Sequence, residues 1–128
     1  MITDPRVPPQ SVGSEQAVLG GLMLAPDALD RIADQLGEQD FYRRDHQLIY
    51  RAISELGEKG QPFDAVTLAD WFEAQGLAEQ VRPGYLIEIA RNTPSAANIW
   101  AYAGIVRDKA MLRKLIETGT SIVNDGFD

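Results

Sequence analysis

NTPSAANIWAYAGIVRDKAMLRKLIETGTSIV, residues 92–123, reads as one long helix whose apolar residues do not keep to one face. An ordinary surface helix turns one stripe to the core and its charges to water. On a helical wheel of about 100° per residue, Ile99, Ala103, Val106 and Ala110 share one narrow stripe. That stripe stops there, because Arg113, Glu117 and Asn124 take the same side further on. A second stripe, Ala101, Ile105, Leu112, Ile116 and Val123, runs the whole length, and Trp100, Met111, Leu115 and Ile122 form a third beside it. The first half is apolar nearly all round; the second half is amphipathic and faces another way.

Geometry suggests two different packing partners. About 29 helical residues reach ~43 Å. A body of about 93 residues has a diameter of roughly 30 Å, so the helix outruns it. The first half is expected to pack on the body through the Ile99 stripe. The second half is expected to bury its stripe against another chain or against a helix outside this sequence.

The rest of the chain divides at prolines and glycines. Residues 1–12, with Pro5, Pro8 and Pro9, read as an extended arm, 13–93 as a helical head, and 94–128 as the long helix. Ser14 is the expected N-cap of a first helix, with Glu15 favouring its positive end. Gly20-Gly21 inside that helix costs about 1 kcal/mol per glycine relative to alanine, which points to close approach of another helix. Pro26 suits the first turn of a second helix near 26–36; its stripe is Leu29, Ile32, Ala33 and Leu36, and Gly37 ends it. EQDFY, 38–42, is expected to be a short helical turn that buries Phe41 and Tyr42. Asp45 is expected to cap a helix over 45–57 carrying Leu48, Ile49, Ala52, Ile53 and Leu56. Asp64 caps another over 65–75, with Val66, Leu68, Ala69 and Phe72 as apolar contacts and Gly76 at its left-handed end. Residues 82–92 give a short helix with Leu86, Ile87, Ile89 and Ala90, and Thr93 or Ser95 caps the long one. No strand-like alternation persists, so the fold class is all-α.

Of 128 residues, 45% are hydrophobic and 24% charged, as in an average soluble domain. There is no cysteine, which excludes disulfides and cysteine-based metal sites or nucleophiles; this suits a reducing cytosol, and a cytoplasmic location is the expectation. No apolar run approaches the roughly 20 residues of a membrane span, and MITDPRVPPQ lacks the layout of a signal peptide. The net charge is −7. Residues 1–95 hold eight Arg/Lys against fifteen Asp/Glu, and residues 96–128 hold four of each. An acidic body is a poor grip for phosphates.

Taken together, PPQSVGSEQAVLGGLML, EQDFYRRDHQLIYRAI, PFDAVTLADWFEAQG and NTPSAANIWAYAGIVRDKAMLRKLIE resemble the amino-terminal domain of the bacterial replicative DNA helicase, the DnaB type. The resemblance runs from Pro8 to about Glu117 and is most specific in the last stretch. Gly13-Ser14 departs from the family's acidic or alanine residues at the start of the first helix. The resemblance implies a compact multi-helix orthogonal head followed by a long helix that is the first arm of a hairpin. It further implies that hairpins of two subunits pair and that three pairs form the collar of a hexameric ring. Primase docks on this collar, and a helicase loader is a further partner. The ATPase motor, with its ATP and magnesium, is a separate RecA-like domain after a linker. On this reading the second hairpin helix, the linker and the motor lie outside the sequence.

The chemistry of the residues agrees. No G-x-x-x-x-G-K-[ST] phosphate loop is present, so no catalytic residue, cofactor or metal site is expected in this segment. His46, the lone histidine, between Asp45 and Gln47, is expected at the surface or in a cap rather than in a site. Asp27/Asp30 and Glu55/Glu58 share helix faces at i, i+3 and read as solvated acids. Trp71 and Trp100 read as packing residues. The candidate subunit interface is Ile105, Leu112, Leu115, Ile116 and Val123, giving a dimer of this segment and a hexamer of the whole protein. The candidate partner contact is the cluster Arg107, Lys109, Arg113 and Lys114. A rival reading makes that cluster the DNA contact of a small helical nucleic-acid-binding domain; a third makes the carboxylate pairs an acid–base centre.

Overall fold

A computed structural model of the protein describes residues 7–127. Six α-helices follow one another: α1 Val12–Leu24, α2 Leu29–Gln35, α3 Arg44–Glu58, α4 Ala65–Ala74, α5 Pro83–Asn92 and α6 Ile99–Phe127. Single 3₁₀ turns at Pro26–Ala28 and Glu38–Asp40 precede α2 and α3. There is no strand among the described residues. The all-α head with one long terminal helix is as the sequence implied.

α1 is the axis of the head. It packs against α6, α5 and α3, while α4 packs on α3 and α5, and α2 on α6. It is buried on several sides, through Val18, Leu19, Gly20, Gly21 and Leu22, as a helix with neighbours all round must be. The core continues through Ile32, Phe41, Leu48, Ile49, Ile53, Leu68, Phe72, Leu86 and Ile89, and closes on α6 with Ile99, Ala103 and Val106.

The two central glycines of α1 are needed for that closeness. A Cβ on Gly20 would stand 2.8 Å from Thr93 Cβ and 3.0 Å from the Ile89 carbonyl oxygen, with Thr93 Oγ1 nearer still. On Gly21 it would stand 2.9 Å from Ile99 Cδ1. The end of α5 and the start of α6 therefore rest on bare backbone, as Gly20-Gly21 foretold. Gly20→Ala gains about 1 kcal/mol of helix propensity but forces an overpacking cost of about 1–3 kcal/mol. A net loss in a urea melt is expected, larger for Gly20→Val; a more stable alanine variant would show that α5 can retreat.

Several local expectations hold. Asp64 Oδ1 accepts from the Val66 and Thr67 amides, and Thr67 Oγ1 accepts from the Asp64 amide, a reciprocal capping box. Gly76 has a φ of +71°, where glycine is free of the Cβ penalty. Others need correction. The N-cap of α1 is Ser11, whose Oγ accepts from the Ser14 amide; Ser14 lies buried in the first turn. The first helix thus begins inside the expected 1–12 arm, of which residues 1–6 lie outside the described residues. α3 begins at Arg44, one residue before its expected cap; Asp45 lies inside the first turn, with Arg43 Nε and the His46 amide donating to its carboxylate. Thr93 ends α5, donating to the Ile89 carbonyl, and Ser95 accepts from Ala97 in the connection before α6. Tyr42, Val66, Ile87 and Ala33 are exposed rather than core residues. Tyr42 follows the short turn rather than lying in a helix, and Ala33, Val66 and Ile87 sit off the buried stripes of their helices, about 100° or more from Ile32, Leu68 and Leu86.

Tyr50 illustrates how the short 3₁₀ segment is pinned. Its hydroxyl donates to the Leu36 carbonyl and its ring lies 5.0 Å from that of Phe41. Burial, with a smaller push from the Asp40 charge, raises its phenol to about 12. Arg51 grips Glu38 through two nitrogens, bracing the same turn from α3.

Candidate interaction surface

α6 has two different halves. Its first half presents Ile99, Ala103 and Val106 to the head, each 2% exposed or less. Beyond Ala110 the helix leaves the head, and Arg113 is the one later described position still half-buried. There Leu112, Leu115, Ile116, Ile122 and Val123 are 45% to 67% exposed, and Ile105 is 39% exposed. Met111 joins them at 54%. A long helix wrapped by its own domain would bury these side chains, and α6 does not. Isolated exposed apolar residues are normal, but a contiguous set on one helix marks an interaction site. Two stripes side by side, rather than one, suit packing against more than one helix.

The basic cluster on α6 is not one patch. Arg107 Nη1 donates to the Gln35 carbonyl at 2.8 Å, and Arg113 donates to the Pro9 and Asp40 carbonyls at 2.8 and 2.7 Å. Both guanidiniums are turned toward the head. Lys114 is exposed and Lys109 half-buried. Arg107 and Lys114 are the exposed cations and Lys109 and Arg113 are half-buried, so the cluster offers no continuous basic face, which weighs against the DNA-binding reading. With about two phosphates neutralised, the slope of log affinity against log salt is about −2.

The polar interior was not foreseen. His46 is fully buried, not a surface or cap residue. Its Nδ1 lies 2.7 Å from Glu15 Oε1 and its Nε2 lies 2.5 Å from Tyr85 Oη. Glu15, 1% exposed, also accepts from the Tyr42 and Arg43 amides. Gln16 Nε2 completes the chain by donating to Tyr85 Oη. A carboxylate only accepts, so Nδ1 donates to it, and in the neutral ring Nε2 then accepts from the tyrosine. Burial raises the Tyr85 phenol, opposed by the Gln16 bond and the Arg43 charge, so the hydroxyl keeps the proton that this arrangement needs. The network ties α1, α3 and α5 together, with every group satisfied. Its sequence signal was weak: the only hint was one acidic residue in a helix start and one histidine in another, 31 residues apart.

The carboxylate pairs do not build a centre. Asp27, Asp30 and Glu58 are exposed, and Glu55 accepts from Trp71 Nε1. No group of three potential metal-binding side chains occurs among the described residues. Trp71 packs half-buried against Phe72, whereas Trp100 lies at the surface under Arg31. No described helix is long and apolar enough to cross a membrane.

The chain is thus an all-α head carrying a long helix whose second half is apolar and exposed. Comparison with known proteins gives its family. Residues 7–108 match the model of the DnaB-like helicase N terminal domain, and the chain belongs to that family. It is 46% identical over 123 residues to the replicative DNA helicase DnaC of Bacillus subtilis, covering 95% of this chain and 27% of that protein. It thus spans about a quarter of the length of that curated relative. Among solved structures, the N-terminal domain of DnaB helicase from Mycobacterium tuberculosis superposes with a TM-score of 0.91 at 42% identity, covering 95% of this chain and 89% of that one. A DnaB-like replicative helicase, solved in a study of its interactions with primase, gives 0.76 at 27% identity, covering 88% of this chain and 27% of that one.

Proposed function

We propose that this chain is the non-catalytic collar-forming domain of a hexameric replicative DNA helicase, and that it docks primase during replication. The observation that carries the reading is the free half of α6, which leaves a two-sided apolar surface for other chains. The family and the primase interactions of the similar helicase support it. In the whole protein, ATP and magnesium belong to a motor domain outside this segment, and the pairing of two α6 surfaces is the first step toward the ring.

Two measurements test this. Titrating the helicase-binding domain of primase into the chain by calorimetry is expected to give saturable heat; no heat at any reachable concentration would remove the docking role. ATPase and strand-separation assays on the chain are expected to stay at the level of a mock preparation, and turnover above it would sink the non-catalytic assignment.

A further inference from the structure

Val106 is the last buried apolar residue of α6. Beyond it, the nearest half-buried positions are Lys109, Ala110 and Arg113. A groove of about 560 Å³, bordered by Gln39, Asp40, Lys114, Glu117 and Ile122, then opens between the 38–40 turn and the helix. Apolar packing therefore holds α6 only as far as Val106, and its tilt and bend beyond that point depend on other contacts. At that point of departure stands Arg113. Its two terminal nitrogens donate to Pro9 and Asp40, and its guanidinium lies 5.5 Å from the centre of the Tyr42 ring. Among the described residues it forms no ion pair, so its fork is spent on neutral carbonyls. Arg107, on the other flank of the buried stripe, has one such bond, beside Val106 where packing already holds the helix.

We propose that Arg113 is the positioning residue that sets the angle at which α6 leaves the head, and that it couples this angle to the N-terminal arm at Pro9. A planar guanidinium held by two carbonyls and a ring face is fixed in orientation, which a lysine ammonium cannot reproduce. The lever is long: the helix past Arg113 extends about 20 Å. A tilt of about 15° moves its tip by ~5 Å, about one helical turn, enough to take the stripe of one chain out of register with another. The inference rests on reading the free half of α6 as a docking face, since only then does its direction matter to function.

The chain has no cysteine, so spin labels can be placed uniquely at Gln75→Cys on the head and Thr120→Cys on the free half. Distances are read by electron–electron resonance on labelled chain diluted with unlabelled chain, so that the label pair lies within one molecule. One narrow peak is expected for the parent. Arg113→Ala is expected to lose it to a broad distribution, Arg113→Lys to show an intermediate width, and Arg107→Ala to keep the narrow peak. Circular dichroism and the urea midpoint confirm that the head stays folded. Should Arg113→Ala fail to fold, Arg113→Lys decides. A peak unchanged by Arg113→Ala, or by Arg113→Lys in that case, or one broadened equally by Arg107→Ala, overturns the proposal. The readout is intramolecular, so absence of primase binding would count against the docking role and leave this result standing.

Discussion

Glu15→Ala is expected to lower the unfolding free energy of the domain by about 3–5 kcal/mol, because three donors lose their shared acceptor. A domain of this size holds only about 6–19 kcal/mol in all. The carboxylate is 1% exposed and three donors converge on it: the His46 ring at 2.7 Å, the Tyr42 amide at 2.8 Å and the Arg43 amide at 3.4 Å. Alanine strands all three in a space closed by α1, α3 and α5. Each buried donor without a partner costs about 1–3 kcal/mol, with the long Arg43 bond at the low end. Glu15→Gln retains one accepting oxygen but puts an amide N–H opposite a donor, so it is expected to fall between parent and alanine. Urea unfolding followed by tryptophan fluorescence and circular dichroism measures both. A loss below about 1 kcal/mol for alanine would mean that water enters and replaces the carboxylate.

The same network shows what could not be read from the chain. Its members come from three helices, and His46 is separated from Glu15 by 31 residues and from Tyr85 by 39. Helical period is a local signal, and it correctly placed Leu48, Ile49, Ala52, Ile53 and Leu56 on one buried face. Local chemistry likewise revealed the Asp64 box and the left-handed Gly76. Which polar residue faces the interior depends on how helices cross, and no spacing in the sequence encodes that. Val66 and Tyr42 fail on local grounds instead. Val66 lies about 200° round α4 from Leu68, and Tyr42 lies beyond the short turn, so packing leaves both exposed.

The change of face along α6 was legible because the anomaly is itself periodic. A stripe that stops at Ala110 while another continues can only mean a change of neighbour, and the burial pattern changes at that place. The basic cluster was legible as composition but not as function. Nothing in the sequence shows that Arg107 and Arg113 reach back to the Gln35, Pro9 and Asp40 carbonyls. What the free face binds lies outside a single folded chain; exposure and family membership support a partner without naming its contacts.

Leu112→Glu with Ile116→Glu is expected to convert a concentration-dependent monomer–dimer equilibrium into a folded monomer. These two residues are 45% and 56% exposed, on the side of α6 turned away from the head. Burying such side chains contributes up to about 1.5–3 kcal/mol each. A two-fold pairing buries the same patch on both chains, so the double substitution removes four apolar contacts and brings four carboxylates together. With 1.4 kcal/mol per factor of ten, association is expected to weaken by at least about a hundredfold. That is sufficient, because pairing must first overcome about 4–15 kcal/mol of lost freedom with only one helix of the proposed hairpin present. Glutamate is a good helix former, so α6 itself should persist. Sedimentation equilibrium over a wide concentration range gives the association constant, and circular dichroism gives the fold. If the variant associates as the parent does, the stripe is not the pairing surface. If the head unfolds instead, Leu112 and Ile116 support the chain's own core, and the division of α6 into a packed half and a docking half is wrong.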